Sequence, residues 1–185
     1  MLGVLVFFRK VNMNEDGSIN VLDVCTGSGA GTLPGAYLLK PRWRTVCALE
    51  WEEYPARLLV RRQREQALEP FPIFRDATQF DGRRWAGVVD LVAGGIPCQP
   101  YSVAGKGLAE DDPRDLFPTF LRLLEETESP RFFLENVRNL VSHDAYGQML
   151  GELVELGFDI EWSTLSTEAI GGNHKRDRVW VYGWR

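Results

Sequence analysis

Strand-like apolar runs alternate with helix-like segments along this chain, and this alternation limits its fold more than any other feature of the sequence. The predicted strands are Ile19–Cys25, Thr45–Glu50, Pro70–Phe74, Val88–Ala93 and Arg131–Glu135. The predicted helices are Leu33–Lys40, Glu52–Ala67, Asp115–Glu126 and Ala145–Leu156. Such alternation favours an α/β fold with a doubly wound, mostly parallel sheet, because parallel neighbours need a crossover connection. Two last runs, Phe158–Ser166 and Arg178–Trp184, have no helix between them and predict a C-terminal antiparallel hairpin at the sheet edge.

Length and composition limit the chain to one globular domain. Its 185 residues are enough for a single buried core and too few for two ordinary domains. No apolar run approaches the roughly 18 residues that a membrane-spanning helix needs, so we expect a soluble protein. Residues 1–18 are expected to be an N-terminal extension that is not a secretion signal, and 19–185 the globular domain.

The three cysteines are Cys25, Cys47 and Cys98, and their spacing suggests neither a disulfide framework nor a zinc site. A reducing cytoplasm is therefore the expected location. Cys25 and Cys47 lie in apolar runs, where cysteine is usually a small hydrophobic residue. Cys98 differs, because a proline and a glutamine flank it.

Two reactive groups follow predicted strands. The run Val88–Ala93 leads through Gly94–Ile96 to Cys98, and a second run ends at Glu135. Because the carboxyl ends of parallel strands face one crevice, we expect this thiol and this carboxylate to meet there. A thiolate with a nearby proton donor is what attack on an electron-poor ring requires.

The charge is unevenly distributed. A net charge of −5 disfavours a chain that holds duplex DNA by itself, because phosphate neutralisation supplies most non-specific affinity. The basic cluster Arg61–Arg64 is expected to be a solvated helix face. The cluster Lys175–Arg178 directly precedes an apolar run, so its side chains are placed to reach the same crevice as Cys98.

A glycine loop, Asp23–Gly31, follows the first predicted strand, where backbone can approach a ligand closely. Its G-x-G-x-G spacing differs from the G-x-G-x-x-G of dinucleotide folds and disfavours a nicotinamide cofactor. Glu50 ends the second strand, where such folds hold ribose hydroxyls, and Trp51 offers a flat face for a purine. Asp76 follows the third strand and is placed to accept a hydrogen bond from an exocyclic amine. These strand ends predict a nucleoside pocket.

Seven motifs between Asp23 and Trp184 resemble, in the same order, those of the catalytic domain of DNA (cytosine-5) methyltransferases. They are the glycine loop after Asp23, Glu50-Trp51, Asp76, Pro97-Cys98-Gln99 with Ser102 and Gly105-Lys106, Asp112-Pro113-Arg114 to Leu116-Phe117, Glu135-Asn136-Val137, and Arg176-x-Arg178. This resemblance implies a Rossmann-like fold that uses S-adenosylmethionine as its cofactor.

The resemblance also implies a role for each residue in the crevice. Cys98 attacks C6 of cytosine while Glu135 hydrogen-bonds N3 and the exocyclic amine, so that C5 can accept the methyl group. The ring needs this polarisation because C6 is only weakly electrophilic. Arg178, together with Arg176, is implied to bind the ring oxygen or an adjacent phosphate, and Asn136 to brace the loop. No metal is required, and the family flips its target base out of the duplex.

By the same resemblance, the cofactor and the substrate loop have defined residues. The cofactor residues are Asp23, Thr26, Gly27, Gly29, Glu50, Trp51, Asp76, Ala77 and Pro97. The substrate loop runs from Gln99 to Asp115, carries Gln99, Ser102 and Lys106, and is implied to close over the flipped base.

The chain departs from the family pattern at three places. Cys25 stands where the family usually has an aromatic residue, and Asn173-His174 replaces the usual Pro-Gln before the paired arginines. The sequence stops at Arg185, where family members normally continue into a target-recognition domain and a last helix that completes the cofactor pocket. We therefore expect a catalytic domain without a target-recognition domain.

Three functions stay open at this point. The chain is a DNA methyltransferase of a restriction-modification system whose recognition half is a second polypeptide, or a minimal enzyme acting on a free cytosine nucleotide, single-stranded DNA or RNA. The third possibility is an inactive remnant that binds S-adenosylmethionine or a partner protein. The presence of Cys98, Glu135 and Arg178 favours the two enzymatic functions. The expected location is the cytoplasm of a bacterium, or of the host cell of a phage, with no membrane contact.

Overall fold

The strands of this protein form one mixed sheet in the computed structural model, which describes residues 14–29, 38, 42–97 and 115–185. The strands in those residues are β1 (Ser18–Val24), β2 (Arg42–Leu49), β3 (Ile73–Phe74), β4 (Leu91–Gly94), β5 (Arg131–Val137), β6 (Asp159–Ser166) and β7 (Asp177–Trp184). Their order in the sheet is β3-β2-β1-β4-β5-β7-β6. Strands β1 to β5 are parallel, and β7 lies antiparallel to both β5 and β6. The predicted α/β fold, with its mostly parallel sheet and C-terminal hairpin, is confirmed.

Three α-helices flank the sheet within the same residues. They are α1 (Glu53–Arg64), α2 (Phe117–Glu126) and α3 (Asp144–Glu155), and shorter 3-10 helices span Ala77–Gln79, Gly82–Trp85, Arg138–Ser142 and Glu168–Ile170. Pro55 lies in the first turn of α1, where its missing N–H costs no helical hydrogen bond. None of the described helices is long and apolar enough to cross a bilayer. The predicted helix Leu33–Lys40 lies outside the described residues, apart from Leu38.

Two predicted strands are shorter than expected. Only Ile73–Phe74 of the run Pro70–Phe74 pairs with β2, because the two prolines of that run have no N–H to donate to a strand ladder. Strand β4 begins at Leu91, since the backbone N–H groups of Val88 and Val89 both donate to the carbonyl of Trp85 in a turn.

Helices cover both faces of the sheet. Helices α2 and α3 pack on one face, where Phe120, Phe132 and Leu153 are almost completely buried in the largest hydrophobic cluster. Helix α1 packs on the opposite face through Leu59, which contacts a smaller cluster with Ala48. All seven residues of β1 are buried, as expected for a central parallel strand that is covered on both sides.

The strand register aligns the functional residues at one edge of the sheet. Val24 pairs with Leu49 on one side and with Gly94 on the other, and Gly94 pairs with Leu134. The next residues of these strands are therefore side by side at the carboxyl edge: Glu50, Cys25, Gly95 and Glu135. Strand β7 runs the opposite way, so it begins at this same edge.

Candidate active site

A cluster of opposite charges lies where β5 and β7 meet at the carboxyl edge. Arg178 donates from Nε to Oε1 of Glu135 at 2.5 Å, and Nη2 of Arg176 is 3.9 Å from the same oxygen. The Arg178 side chain is 18% exposed and that of Glu135 is 28% exposed, so the pair is largely shielded from water. The antiparallel register, with Val137 opposite Arg178, brings these side chains together. We call Glu135, Arg176 and Arg178 the charge cluster.

Because Gly95 has no side chain, the Glu135 carboxylate can lie against the segment that follows β4. A Cβ atom built on Gly95 would lie 3.3 Å from Oε2 of Glu135, closer than most side chains tolerate. The carboxylate therefore lies against the backbone that leads toward Pro97. This contact joins two segments that are distant in sequence, so the sequence does not predict it, although the glycine pair Gly94-Gly95 is a visible signal.

Asn136 ties β5 to the segment that follows β4. Its side chain is buried, its Nδ2 donates to the carbonyl of Ile96 at 3.3 Å, and its Oδ1 accepts from the N–H of Val137 at 2.8 Å. Pro97, half-buried, is the last described residue of this segment. The predicted nucleophile and the predicted substrate-loop residues lie outside the described residues: Cys98, Gln99, Ser102, Lys106 and the motif Asp112-Pro113-Arg114.

Glu50 is held by main-chain donors at the other side of the edge. Its side chain is only 6% exposed, yet Oε2 accepts from the N–H of Gly27 at 2.6 Å and Oε1 accepts from that of Glu52 at 2.8 Å. Each oxygen retains a lone pair that can accept from a further donor. A buried carboxylate with remaining acceptor capacity suits a ligand that carries hydroxyl groups, so this site fits the ribose of the expected cofactor.

The glycine loop has an unusual backbone in its described part. Cys25, Gly27 and Gly29 have φ angles of 55°, 59° and 82°, so the chain turns sharply at alternate residues. Gly29 lies so close to α1 that an added Cβ atom would be 3.0 Å from Leu59. Residues 30 and 31, with which the predicted loop ends, lie outside the described residues.

Two interactions stabilise this loop. Thr26 donates from Oγ1 to the carbonyl of Asp23 at 2.8 Å, and both residues are buried. The guanidinium of Arg62 donates to the carbonyl of Ser28. The expectation that the whole cluster Arg61–Arg64 is solvated is therefore wrong for Arg62, because α1 packs its inner face against the loop.

Trp51 and Asp76 lie at the ends of neighbouring strands, since the N–H of Glu50 donates to the carbonyl of Phe74 at 2.8 Å. The Trp51 side chain is 65% exposed, so its ring is accessible to a ligand. Asp76 caps a 3-10 helix: its Oδ1 accepts from the N–H and the hydroxyl of Thr78 at 2.9 and 2.7 Å. Its predicted contact with an exocyclic amine, and the predicted role of Ala77, stay predictions.

The two described cysteines are poor nucleophiles. Burial raises the pKa of the Cys25 thiol to about 12, and the nearby carboxylates of Glu50 and Asp23 add to this shift. Burial raises the pKa of the Cys47 thiol to about 12 as well. Both thiols therefore stay protonated at neutral pH, whereas nucleophilic attack needs a thiolate.

The loop between β6 and β7, which carries Arg176, is closed by contacts that the sequence does not predict. Thr167 donates to the carbonyl of Arg176 from its backbone N–H at 3.1 Å and from its hydroxyl at 3.3 Å. Asp177 forms an ion pair with Arg138 at 3.6 Å, which ties the start of β7 to the residues after β5. Within the described ranges, no group of His, Cys, Asp or Glu side chains is arranged to hold a metal ion.

Known sequences match this chain over most of its length. A family model described as C-5 cytosine-specific DNA methylase matches residues 19–185. The type II methyltransferase M.NgoMIV from Neisseria gonorrhoeae is 33% identical over 162 residues, a match that covers 85% of this chain and 49% of the relative. The chain thus spans about half the length of that curated relative.

Solved structures share the fold. A mutant of the methyltransferase DNMT2 from Spodoptera frugiperda superposes with a TM-score of 0.69 at 22% identity, covering 91% of this chain and 50% of its own. Fibrillarin from Aeropyrum pernix, solved with natively bound S-adenosyl-L-methionine, superposes with a TM-score of 0.61 at 16% identity over 90% of this chain and 66% of its own.

Proposed function

Because the chain belongs to the C-5 cytosine-specific DNA methylase family, we propose that it transfers a methyl group from S-adenosylmethionine to C5 of cytosine in DNA. The charge cluster gives this proposal its strongest support: Glu135, paired with Arg178 at 2.5 Å, lies on the same sheet edge as Glu50. A base-binding group and a ribose-binding group then face one crevice, as a transfer between two bound molecules requires.

In the proposed reaction the charge cluster binds the cytosine ring. Glu135 accepts a hydrogen bond from the exocyclic amine and, in its protonated form, donates to N3. This draws electron density away from C6 as the thiolate of Cys98 adds, and the charge displaced toward N3 makes C5 nucleophilic. After methylation a water molecule takes the C5 proton, the C5–C6 double bond re-forms as the thiolate leaves, and the N3 proton returns to Glu135. Arg178 and Arg176 bind the ring oxygen or an adjacent phosphate.

The cofactor residues proposed here form the other wall of the crevice. When bound, S-adenosylmethionine supplies an electrophilic methyl group. Glu50 accepts hydrogen bonds from the ribose hydroxyls, and the Trp51 ring packs on the purine. Asp76 and Ala77 contact the edge of the purine, and the backbone of the glycine loop lies close to the remainder of the cofactor. The solved complex of fibrillarin supports this assignment only through the shared fold.

We further propose that sequence-specific methylation of duplex DNA needs a second polypeptide with a target-recognition domain. The net charge of −5 supports this proposal, because phosphate neutralisation supplies most of the non-specific affinity for DNA. Flipping a base out of a duplex costs a few kcal/mol, which groove and phosphate contacts normally offset. The chain alone should therefore prefer single-stranded or free substrates, which avoid this cost.

A tritium-transfer assay tests these proposals. Labelled S-adenosylmethionine is incubated with the chain and with duplex DNA, single-stranded DNA, RNA or dCMP in parallel. Incorporation at C5 of cytosine in single-stranded DNA, above that in the duplex, is the expected result. Robust sequence-specific methylation of duplex DNA by the chain alone would contradict the need for a partner. No incorporation in any substrate, combined with no covalent adduct on a 5-fluorocytosine oligonucleotide, would contradict the activity itself.

A further inference from the structure

A groove of about 550 Å³ lies between α1 and β3, on the flank of the sheet farthest from the charge cluster. Val60 and Ile73 contribute to its apolar floor. Four arginines and a single glutamate line it: Arg57, Arg61, Arg64, Arg75 and Glu53. In a chain whose net charge is −5, this local excess of positive charge indicates an anionic ligand.

Three of the four arginines of the groove are available to a ligand, whereas the guanidinium of Arg75 donates to the carbonyl of Trp51. Arg57 pairs with Glu53 at 2.5 Å and Arg61 pairs with Glu65 at 2.7 Å, but these arginine side chains are 78% and 73% exposed. Exposed ion pairs of this kind contribute little free energy and are easily exchanged for another anion. Arg64 is exposed and forms no ion pair within the described part of the chain.

The spacing of these side chains matches an extended ligand better than a single ion. Arg57, Arg61 and Arg64 follow one stripe of α1, about 6 and 4.5 Å apart along the helix axis at a rise of about 1.5 Å per residue. Tyr54 lies on the same stripe and is 78% exposed. An accessible aromatic ring beside a row of cations is typical of grooves that bind single-stranded nucleic acid.

We propose that the groove between α1 and β3 binds the phosphate backbone of a single-stranded nucleic-acid segment, with Tyr54 stacking on one of its bases. Helix α1 begins at the carboxyl edge, next to Glu50, so its arginine stripe leads away from the site along the flank of the sheet. This inference rests on the proposed function in taking nucleic acid as the substrate. It adds a second contact region for a strand that enters the crevice.

Fluorescence anisotropy with labelled dT20 and no cofactor tests the groove. The variant Arg57→Gln/Arg61→Gln/Arg64→Gln is compared with the control Arg44→Gln/Arg83→Gln/Arg84→Gln, which removes three exposed arginines elsewhere and changes the net charge equally. The groove variant should bind about tenfold more weakly, and its slope of log affinity against log salt should fall by about 2. The control should change by less than about twofold. Equal losses in the two variants would overturn the proposal.

Two further measurements keep the result interpretable. A bromodeoxyuridine-substituted dT20 should photo-crosslink to Tyr54 in the unmodified chain, and absence of that crosslink would overturn the proposal even if the groove variant failed to fold. If a 20-residue polyglutamate displaced dT20 at equal charge concentration, the groove would instead be a surface for an acidic protein. Failure of methyl transfer would contradict the proposed function and leave the anisotropy result intact.

Discussion

The two sides of the carboxyl edge hold their carboxylates in different ways. Glu50 is buried and accepts from the main-chain N–H groups of Gly27 and Glu52, both of which belong to loops at the ends of β1 and β2. Glu135 is partly exposed and pairs with Arg178, a side chain from a strand much later in the sequence. Backbone donors are fixed in place, whereas a guanidinium can move to a new anion or to a base. The side of Glu50, which we propose binds the cofactor, is therefore built in advance. The side of Glu135, which we propose binds the base, can adjust when a substrate binds. We call them the cofactor side and the base side.

The largest expected effect is on the formation of a covalent adduct, which should be lost without any change in cofactor affinity. A cytosine with fluorine at C5 should form a covalent adduct with the chain in the presence of S-adenosylmethionine, because fluorine cannot leave as the proton does. Cys98→Ser should abolish this adduct and leave cofactor affinity unchanged, as mass spectrometry and calorimetry would report.

The other two cysteines provide the matched controls. Both have a thiol pKa of about 12, so at pH 9 only about one thiol in a thousand is ionised. Cys25→Ser and Cys47→Ser should therefore leave the adduct in place. An adduct mapped to Cys25 or Cys47 would refute the nucleophile assignment.

The next largest effect concerns the carboxylate of the base side. Glu135→Gln keeps the shape of the side chain but removes the proton that polarises N3, so kcat should fall by a factor of about 10² to 10⁴. Affinity for S-adenosylmethionine should stay within about twofold. The control Glu161→Gln alters an exposed glutamate on β6 and should leave kcat unchanged. Equal losses of kcat and cofactor affinity would show that the two sides are not separable.

A smaller effect is expected at the carboxylate of the cofactor side. Glu50→Ala removes an acceptor from two backbone N–H groups and from the ribose, so cofactor affinity should fall by about 10- to 100-fold, the equivalent of about 1.5 to 3 kcal/mol. The free energy of unfolding should also fall by about 1 to 3 kcal/mol, because buried donors lose their partner. Glu52→Ala, at an exposed neighbour, is the control. Unchanged affinity in Glu50→Ala would mean that the pocket is assigned wrongly.

The smallest expected effect tests whether the hydrogen bond from Arg62 helps to hold the glycine loop in place. Arg62→Met retains the aliphatic packing of the side chain but removes its hydrogen bond to Ser28, a loss of about 1 kcal/mol. Cofactor affinity measured by calorimetry should fall about fivefold, with no change in adduct formation. Arg83→Met, which changes an exposed arginine outside α1, should have no effect on either quantity, and a similar loss in both variants would contradict a specific role for Arg62.

The fold could be predicted from the sequence because its signals are local. Apolar runs and their spacing identified the strands, and the absence of a helix between the last two runs predicted the hairpin. The ends of β3 and β4 could not be predicted, because a strand ends where its partner and the local turns stop the pairing. At the site, the strand-end positions of Glu50 and Glu135 followed from the pattern of runs. The roles of Arg62, Gly95 and Thr167 depend on contacts between elements that are distant in sequence.

The position of β7 in the sheet determines how late in protein synthesis the charge cluster can form. Among the described strands, β1 to β3 come first in the sequence and pair with one another and with β4. The Glu50 carboxylate and its backbone donors lie at the ends of β1 and β2. The charge cluster needs β7, the last of the described strands in the sequence, which lies between β5 and β6. Because a single domain folds as a unit, the charge cluster forms only after β7 has been synthesised and has paired with β5. A translation product that ends before Arg176 and β7 therefore lacks the guanidinium partners of Glu135 and cannot assemble the base side.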